Sequence, residues 1–196
     1  KCTEYFSGIY KTVLVGYYES NMVIFAHAPQ TAGERDAIVQ DFINESADSY
    51  SNYIVVCCDC LNTTNEAHNA YFDVMQYASY ARSIYPQKRV LRPSDVSFAS
   101  ICAKEAACRE AQIHYLKIIE DIETTPELLT TLTAYLLDHE SSMANTAKAL
   151  CCHINTIKYR LNSIRDNTGY SPSKPADVYP LLIAVAINRM KNSENE

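Results

Sequence analysis

Two hydrophobic rhythms divide this chain, a strand-like one in front and a helical one behind. Tyr10 to Ala28 reads YKTVLVGYYESNMVIFAHA, two β-rich runs on either side of a polar tip, Glu19-Ser20-Asn21. That is the pattern of a β-hairpin. The few residues before it read as the edge of a sheet. Over 33–50, Ile38, Phe42 and Ile43 fall at helical spacing. Tyr53-Ile54-Val55-Val56 opens an apolar run to Cys60 that predicts a central strand. Asn65 to Tyr85 predicts a helix with Tyr71, Val74, Ala78 and Ala81 on one face, stopped by Pro86. Val90-Leu91, just before Pro93, is a short strand candidate. The order β-β-α-β-α-β predicts an α+β fold, an antiparallel sheet with helices on one face in an α/β sandwich.

Behind residue 97 the period is helical. Phe98 to Glu123 predicts a helical stretch with Ile101, Ala106, Ile113, Leu116 and Ile119 toward a core. Thr125 as N-cap and Pro126 at N1 start the next helix. Ala144 to Gly169 then holds two short amphipathic pieces. Ala144, Ala147 and Leu150 share one face of the first; Ile157, Leu161 and Ile164 share one face of the second. Gly169 closes the second piece at a C′-like position. Cys151 to Ile154 between them is short enough only for a tight turn, with Cys151 and Cys152 at its apolar positions. Tyr170 to Ala176 is a loop with two prolines, Asp177 caps a last helix to about Lys191, and a polar tail follows. These readings place a sandwich at 1–97, a helical connector at 98–126 and an all-α domain at 127–196.

Two short helices and a tight turn make a helix-turn-helix, which lays its second helix in a DNA major groove. Opposite Ile157, Leu161 and Ile164, roughly 180° around the wheel, lie Asn155, Tyr159 and Asn162. Thr156 and Ser163 flank that face on one side and Lys158 on the other. Neutral donors and acceptors with a nearby cation suit base edges and phosphate. His153 and Asn155 sit at the helix start, where backbone N–H groups attract phosphate. Arg160 lies nearer the core stripe, placed either to clamp phosphate or to pair internally. The same pattern also fits a polar surface helix in a small bundle.

The run TAKALCCHINTIKYRLNSI resembles the C-terminal helix-turn-helix of the purine-catabolism and sugar-diacid regulators, the PucR/CdaR family. The resemblance rests on Thr146, Ala147, Leu150, His153, Asn155, Thr156, Ile157, Tyr159, Arg160, Leu161 and Ile164, with Leu128 to Leu136 similar to the family's lead-in helix. It implies double-stranded DNA as partner, met by Thr146, Lys148, His153, Asn155, Thr156, Lys158, Tyr159, Arg160, Asn162 and Ser163. The family carries Arg or Lys after His153, whereas Ile154 stands here. The front half is similar to the degenerate GGDEF-like domain of the same regulators. A working diguanylate cyclase needs paired glycines and acids in its hairpin. Gly16-Tyr17-Tyr18-Glu19 supplies neither pair.

Net charge is −6 over 196 residues, unpromising for a DNA binder until it is placed along the chain. Residues 1–126 carry all of it, and 127–196 are neutral; within 148–174, Lys148, Lys158, Arg160, Arg165 and Lys174 face Asp166 alone. So small a positive patch predicts that two copies share one DNA site. The apolar run Leu181 to Ile187 leaves its helix no polar face, which predicts burial in a homodimer or beneath the upstream domain. That run is also too short to span a membrane.

Eight cysteines lack the repeated pair or added His of a zinc site and read as reduced, mostly buried cytoplasmic thiols. No Ser-His-Asp set, catalytic carboxylate pair or phosphate-cradling glycine loop occurs, and with 4 Gly none is expected. No cofactor and no enzyme activity are therefore expected. The chain starts at Lys1 and reads as a piece of a longer regulator, its small-molecule sensor lying in a missing N-terminal region. The sequence thus predicts a DNA-binding transcription regulator of metabolic genes. The alternative is a non-catalytic interaction or ligand-binding module with a structural helix pair.

Overall fold

The computed structural model describes residues 2–10, 13–18, 21–26, 31–46, 54–58 and 61–193. They fall in two compact units, Lys1–Ile54 and Val55–Glu196.

The first unit opens on a helix, α1 (Cys2–Ile9), where the sequence suggests a sheet edge. Phe6 of α1 is buried, its ring 5.0 Å from that of Phe42 in α2 (Ala32–Ser46). The Tyr5 hydroxyl donates to the Ile38 carbonyl at 3.2 Å. Two turns are too few to show a period, so only this contact with a later helix reveals α1 as helical. The hairpin forms as β1 (Val13–Tyr18) and β2 (Asn21–Ala26), antiparallel from Val13↔Ala26 to Tyr18↔Asn21. Glu19 and Ser20, at the expected tip, lie outside the described residues, as do 47–50 of the helix expected over 33–50. Val39, Phe42 and Ile43 complete the small core.

In the second unit the expected central strand is reduced to β3 (Val55–Val56); Tyr53, Asp59 and Cys60 lie outside the described residues. β3 pairs in parallel with β4 (Val90–Leu91), and α3 (Thr64–Ile84) makes the crossover that a parallel pair requires. The described strands therefore form two separate two-stranded sheets, not one antiparallel sheet beneath helices. The chain is mostly helical.

Helix α3 starts at a capping box in which Thr63 accepts from the Glu66 N–H and Glu66 accepts from the Thr63 N–H. The expected helical stretch after residue 97 is two helices, α4 (Pro93–Ala107) and α5 (Arg109–Glu123), broken at Cys108 in extended conformation. That break resets the helical phase. Val96, Ala99 and Cys102 are buried from α4, and Ile118, Ile119 and Ile122 from α5. Of the expected core residues, Ile119 is buried and Ala106 and Leu116 are half-buried, while Ile101 and Ile113 are exposed. Burial pushes the Cys102 thiol up to about 12.

The last helix, α9 (Pro175–Ser193), begins two residues before Asp177. Asp177 lies in its first turn and accepts from the Ser171 N–H at 3.0 Å. Leu181 and the run from Ile183 to Ile187 are buried, because α9 packs against α3, α4, α5 and the helix over Pro126–Thr133, α6. The apolar helix is thus covered within its own unit, and a subunit interface is not needed to hide it. Arg189 anchors its far end, donating to both Asp138 carboxylate oxygens at 2.7 Å and to the Ile84 carbonyl at 2.8 Å. Among the described residues no helix is long and apolar enough to cross a membrane.

Candidate nucleic-acid interface

Helix α6 (Pro126–Thr133) starts after Thr125 with Pro126 first, and continues into a π-helical turn over Ala134–Asp138. Thr125 is the N-cap as expected, but its side chain makes no capping bond. Glu140 and Ser141, at φ 50° and 59°, then swing the chain into α7 (Met143–Ala149). Ser142 caps α7, accepting from the Asn145 N–H at 3.3 Å.

The turn after α7 has the hydrogen bonds of a Schellman motif. The Cys152 N–H donates to the Ala147 carbonyl at 3.0 Å and the Cys151 N–H to the Lys148 carbonyl at 3.3 Å. Cys151 takes the left-handed position, φ 50°, that glycine usually fills. Helix α8 (Ile154–Thr168) follows at once, one residue earlier than its apolar spacing suggests. His153 is its N-cap: Nδ1 accepts from the Asn155 N–H at 3.2 Å. A neutral ring doing this carries its proton on Nε2, so an N–H donor remains free to face outward. Gly169 ends α8 at φ 77°.

Ile157, Leu161 and Ile164 are buried on one side of α8, and Tyr159 on the other is 73% exposed. Asn155, Lys158 and Asn162 are exposed with it, while Thr156 and Ser163 are half-buried at its margin. Ser163 already accepts from Asn167 Nδ2, through its carbonyl at 2.7 Å and its hydroxyl at 3.3 Å. His153 at the helix start and Lys148 on α7 are exposed as well. Seven of the ten expected contact residues, counting the two at the margin, therefore lie along the outer side of α8, and Lys148 lies on the helix before it.

Two expected residues are placed otherwise. Thr146 is fully buried, its hydroxyl donating to the Ser142 carbonyl at 2.8 Å. It holds α7 together from inside and is not available to DNA. Arg160 pairs internally: it reaches Glu127 Oε2 at 2.8 Å and Thr131 Oγ1 at 3.2 Å, both on α6. Glu127 and Thr131, four residues apart on α6, are the partners that the sequence reading missed.

The first-helix stripe is also shifted. Thr146 and Ala147 are buried, Leu150 is half-buried and Ala144 is exposed. Cys151 is exposed and Cys152 half-buried, so the turn is held by its backbone bonds and not by two buried thiols. The charge picture narrows in the same way. Arg165 pairs with Asp166 at 2.8 Å. Among the described residues Lys148, Lys158 and Lys174 make no ion pair, and of these Lys148 on α7 and Lys158 on α8 are the interface's uncommitted cations. Among the described residues no three His, Cys, Asp or Glu side chains group as metal ligands.

Residues 128–187, from within α6 to within α9, match the family model described as the PucR C-terminal helix-turn-helix domain. Uncharacterized proteins of Mycobacterium bovis and Mycobacterium tuberculosis are each 40% identical over 65 residues. That segment is 33% of this chain and 16% of each relative, so the chain spans only a small part of the relatives it matches. A regulator of polyketide synthase expression from Bifidobacterium adolescentis is 42% identical over 32% of this chain and 25% of its own, with a TM-score of 0.30. The C-terminal part of the chain carries a PucR-type helix-turn-helix domain.

Proposed function

We propose that this chain is the DNA-reading part of a transcription regulator, with α8 as the helix that enters the major groove of double-stranded DNA. One observation carries this reading: within the PucR-type segment, α8 turns Asn155, Tyr159, Asn162 and Lys158 outward while burying Ile157, Leu161 and Ile164. Amide and phenol groups match base edges, and Lys148 and Lys158 supply phosphate contacts at the same surface. With so few uncommitted cations, one copy gives little counterion release, so two copies on paired half-sites are the working form. Control of metabolic genes, in response to a small molecule sensed outside residues 127–196, follows the PucR/CdaR resemblance.

Duplex binding measured by fluorescence anisotropy across a salt series tests the reading. Affinity should collapse as salt rises, and the protein should enrich one sequence from a random duplex pool. Salt-independent binding, or no binding at low salt, would leave the helix pair a purely structural element.

A further inference from the structure

Arg160 sits among the outward residues in sequence, yet its guanidinium is turned toward α6. It is 21% exposed at the side chain, against 74% for its partner Glu127. One N–H group meets Glu127 Oε2 at 2.8 Å and another meets Thr131 Oγ1 at 3.2 Å. Thr131 is fully buried, and its own hydroxyl proton goes to the Glu127 carbonyl at 2.7 Å. The four groups close a ring: Arg160 holds the side chain of Glu127, and holds its backbone through Thr131. Every donor in the ring has one acceptor, which defines a single geometry between α6 and α8.

We propose that Arg160, Glu127 and Thr131 form a positioning lock that sets the rotation of α8 about its axis, and that Arg160 touches no DNA; this rests on reading α8 as the groove helix. Ile157, Leu161 and Ile164 set which side of α8 faces the core, but apolar contact is non-directional and carries no hydrogen-bond geometry. A two-point guanidinium contact is directional. Rotation matters here because Asn155, Tyr159 and Asn162 must meet base edges together. Glu127 is too exposed for the pair to add much stability. Its contribution is orientation.

The lock makes an unusual demand of Glu127. Removing a carboxylate beside a DNA surface should, on electrostatics alone, tighten binding to every duplex. A positioning role predicts that Glu127→Ala loses discrimination instead.

The test measures binding of wild type, Glu127→Ala, Glu127→Gln, Arg160→Lys and Arg160→Ala to two duplexes across a salt series. One duplex is selected by the wild type from a random pool, and the other is random sequence. The ratio of selected to random affinity should fall by roughly tenfold in Glu127→Ala and Arg160→Ala, about what one lost base pair contact costs. Arg160→Lys, able to reach one partner at a time, and Glu127→Gln, still an acceptor, should keep part of it. The salt slope should not change in Arg160→Ala, whereas a phosphate contact would lower it by about one.

Equal tightening on both duplexes in Glu127→Ala, or a lower slope in Arg160→Ala, would overturn the lock. Because Glu127 is exposed, its variants carry the test should Arg160→Ala fail to fold. If the wild type selects no duplex, the DNA reading fails, and backbone residual dipolar couplings then decide the lock separately. A changed angle between α6 and α8 in Glu127→Ala sustains it, and an unchanged angle overturns it.

Discussion

Asn155 and Tyr159 differ from Lys158 in what their chemistry can distinguish, although all three are exposed on α8. An amide offers a donor and an acceptor in fixed geometry, and a phenol hydroxyl can do either. An ammonium meets any phosphate. Asn155→Ala or Tyr159→Ala should therefore cost about 1–3 kcal/mol of discrimination and leave random-sequence affinity nearly intact. Lys158→Ala should weaken all duplexes alike and flatten the salt slope, both read from the same titrations. Ile154 provides a complementary gain. It is the first residue of α8 and 41% exposed, so an arginine there would point outward beside the helix start. Ile154→Arg should tighten binding and steepen the salt slope by about one phosphate contact. An unchanged slope would mean that the DNA backbone does not pass the start of α8.

At the scale of the element, two left-handed residues bracket α8, and only one is glycine. Cys151 closes α7 at φ 50° and Gly169 closes α8 at φ 77°. A Cβ at Gly169 would meet nothing within 4 Å, so Gly169→Ala tests backbone strain without a clash. It should lower stability by about 1 kcal/mol, and Cys151→Gly should raise it by up to a similar amount. Thermal unfolding of both variants checks the pair, and opposite shifts in Tm are the expected result. The helix pair was legible in sequence because its signals are local: Gly169 at the end, and Ile157, Leu161 and Ile164 at helical spacing, all buried as read. What escaped depends on partners distant in sequence. Arg160 pairs with residues on α6, Phe6 needs Phe42, and Ile101 and Ile113 lie opposite the buried faces of α4 and α5, two helices that the sequence reads as one stretch. The strands failed for a related reason. The strand expected from Tyr53 to Cys60 is reduced to Val55–Val56 and Val90–Leu91 forms as expected, but a two-residue strand does not encode whether its partner runs parallel.

For the whole molecule, the decisive element is α9, because the same apolar run could be hidden inside one chain or between two. Its neighbours within the second unit are α3, α4, α5 and α6, and Val185 is fully buried among them. Pairing of two copies, proposed from the shortage of uncommitted cations, therefore has to use another surface. A glutamate at position 185 would bury an unpaired charge in the core of the unit, at a cost of roughly 3–5 kcal/mol. Against the typical stability of a domain, about 5–15 kcal/mol, that is a large fraction. Val185→Glu should consequently lower Tm sharply or unfold the unit, as followed by circular dichroism. Leu182→Glu, at a half-buried site on the same helix, should cost less. Light scattering supplies the contrary outcome. A fully folded Val185→Glu protein with half the wild-type mass would mean that α9 meets a second subunit at that residue, and that its packing within the unit is not what buries it.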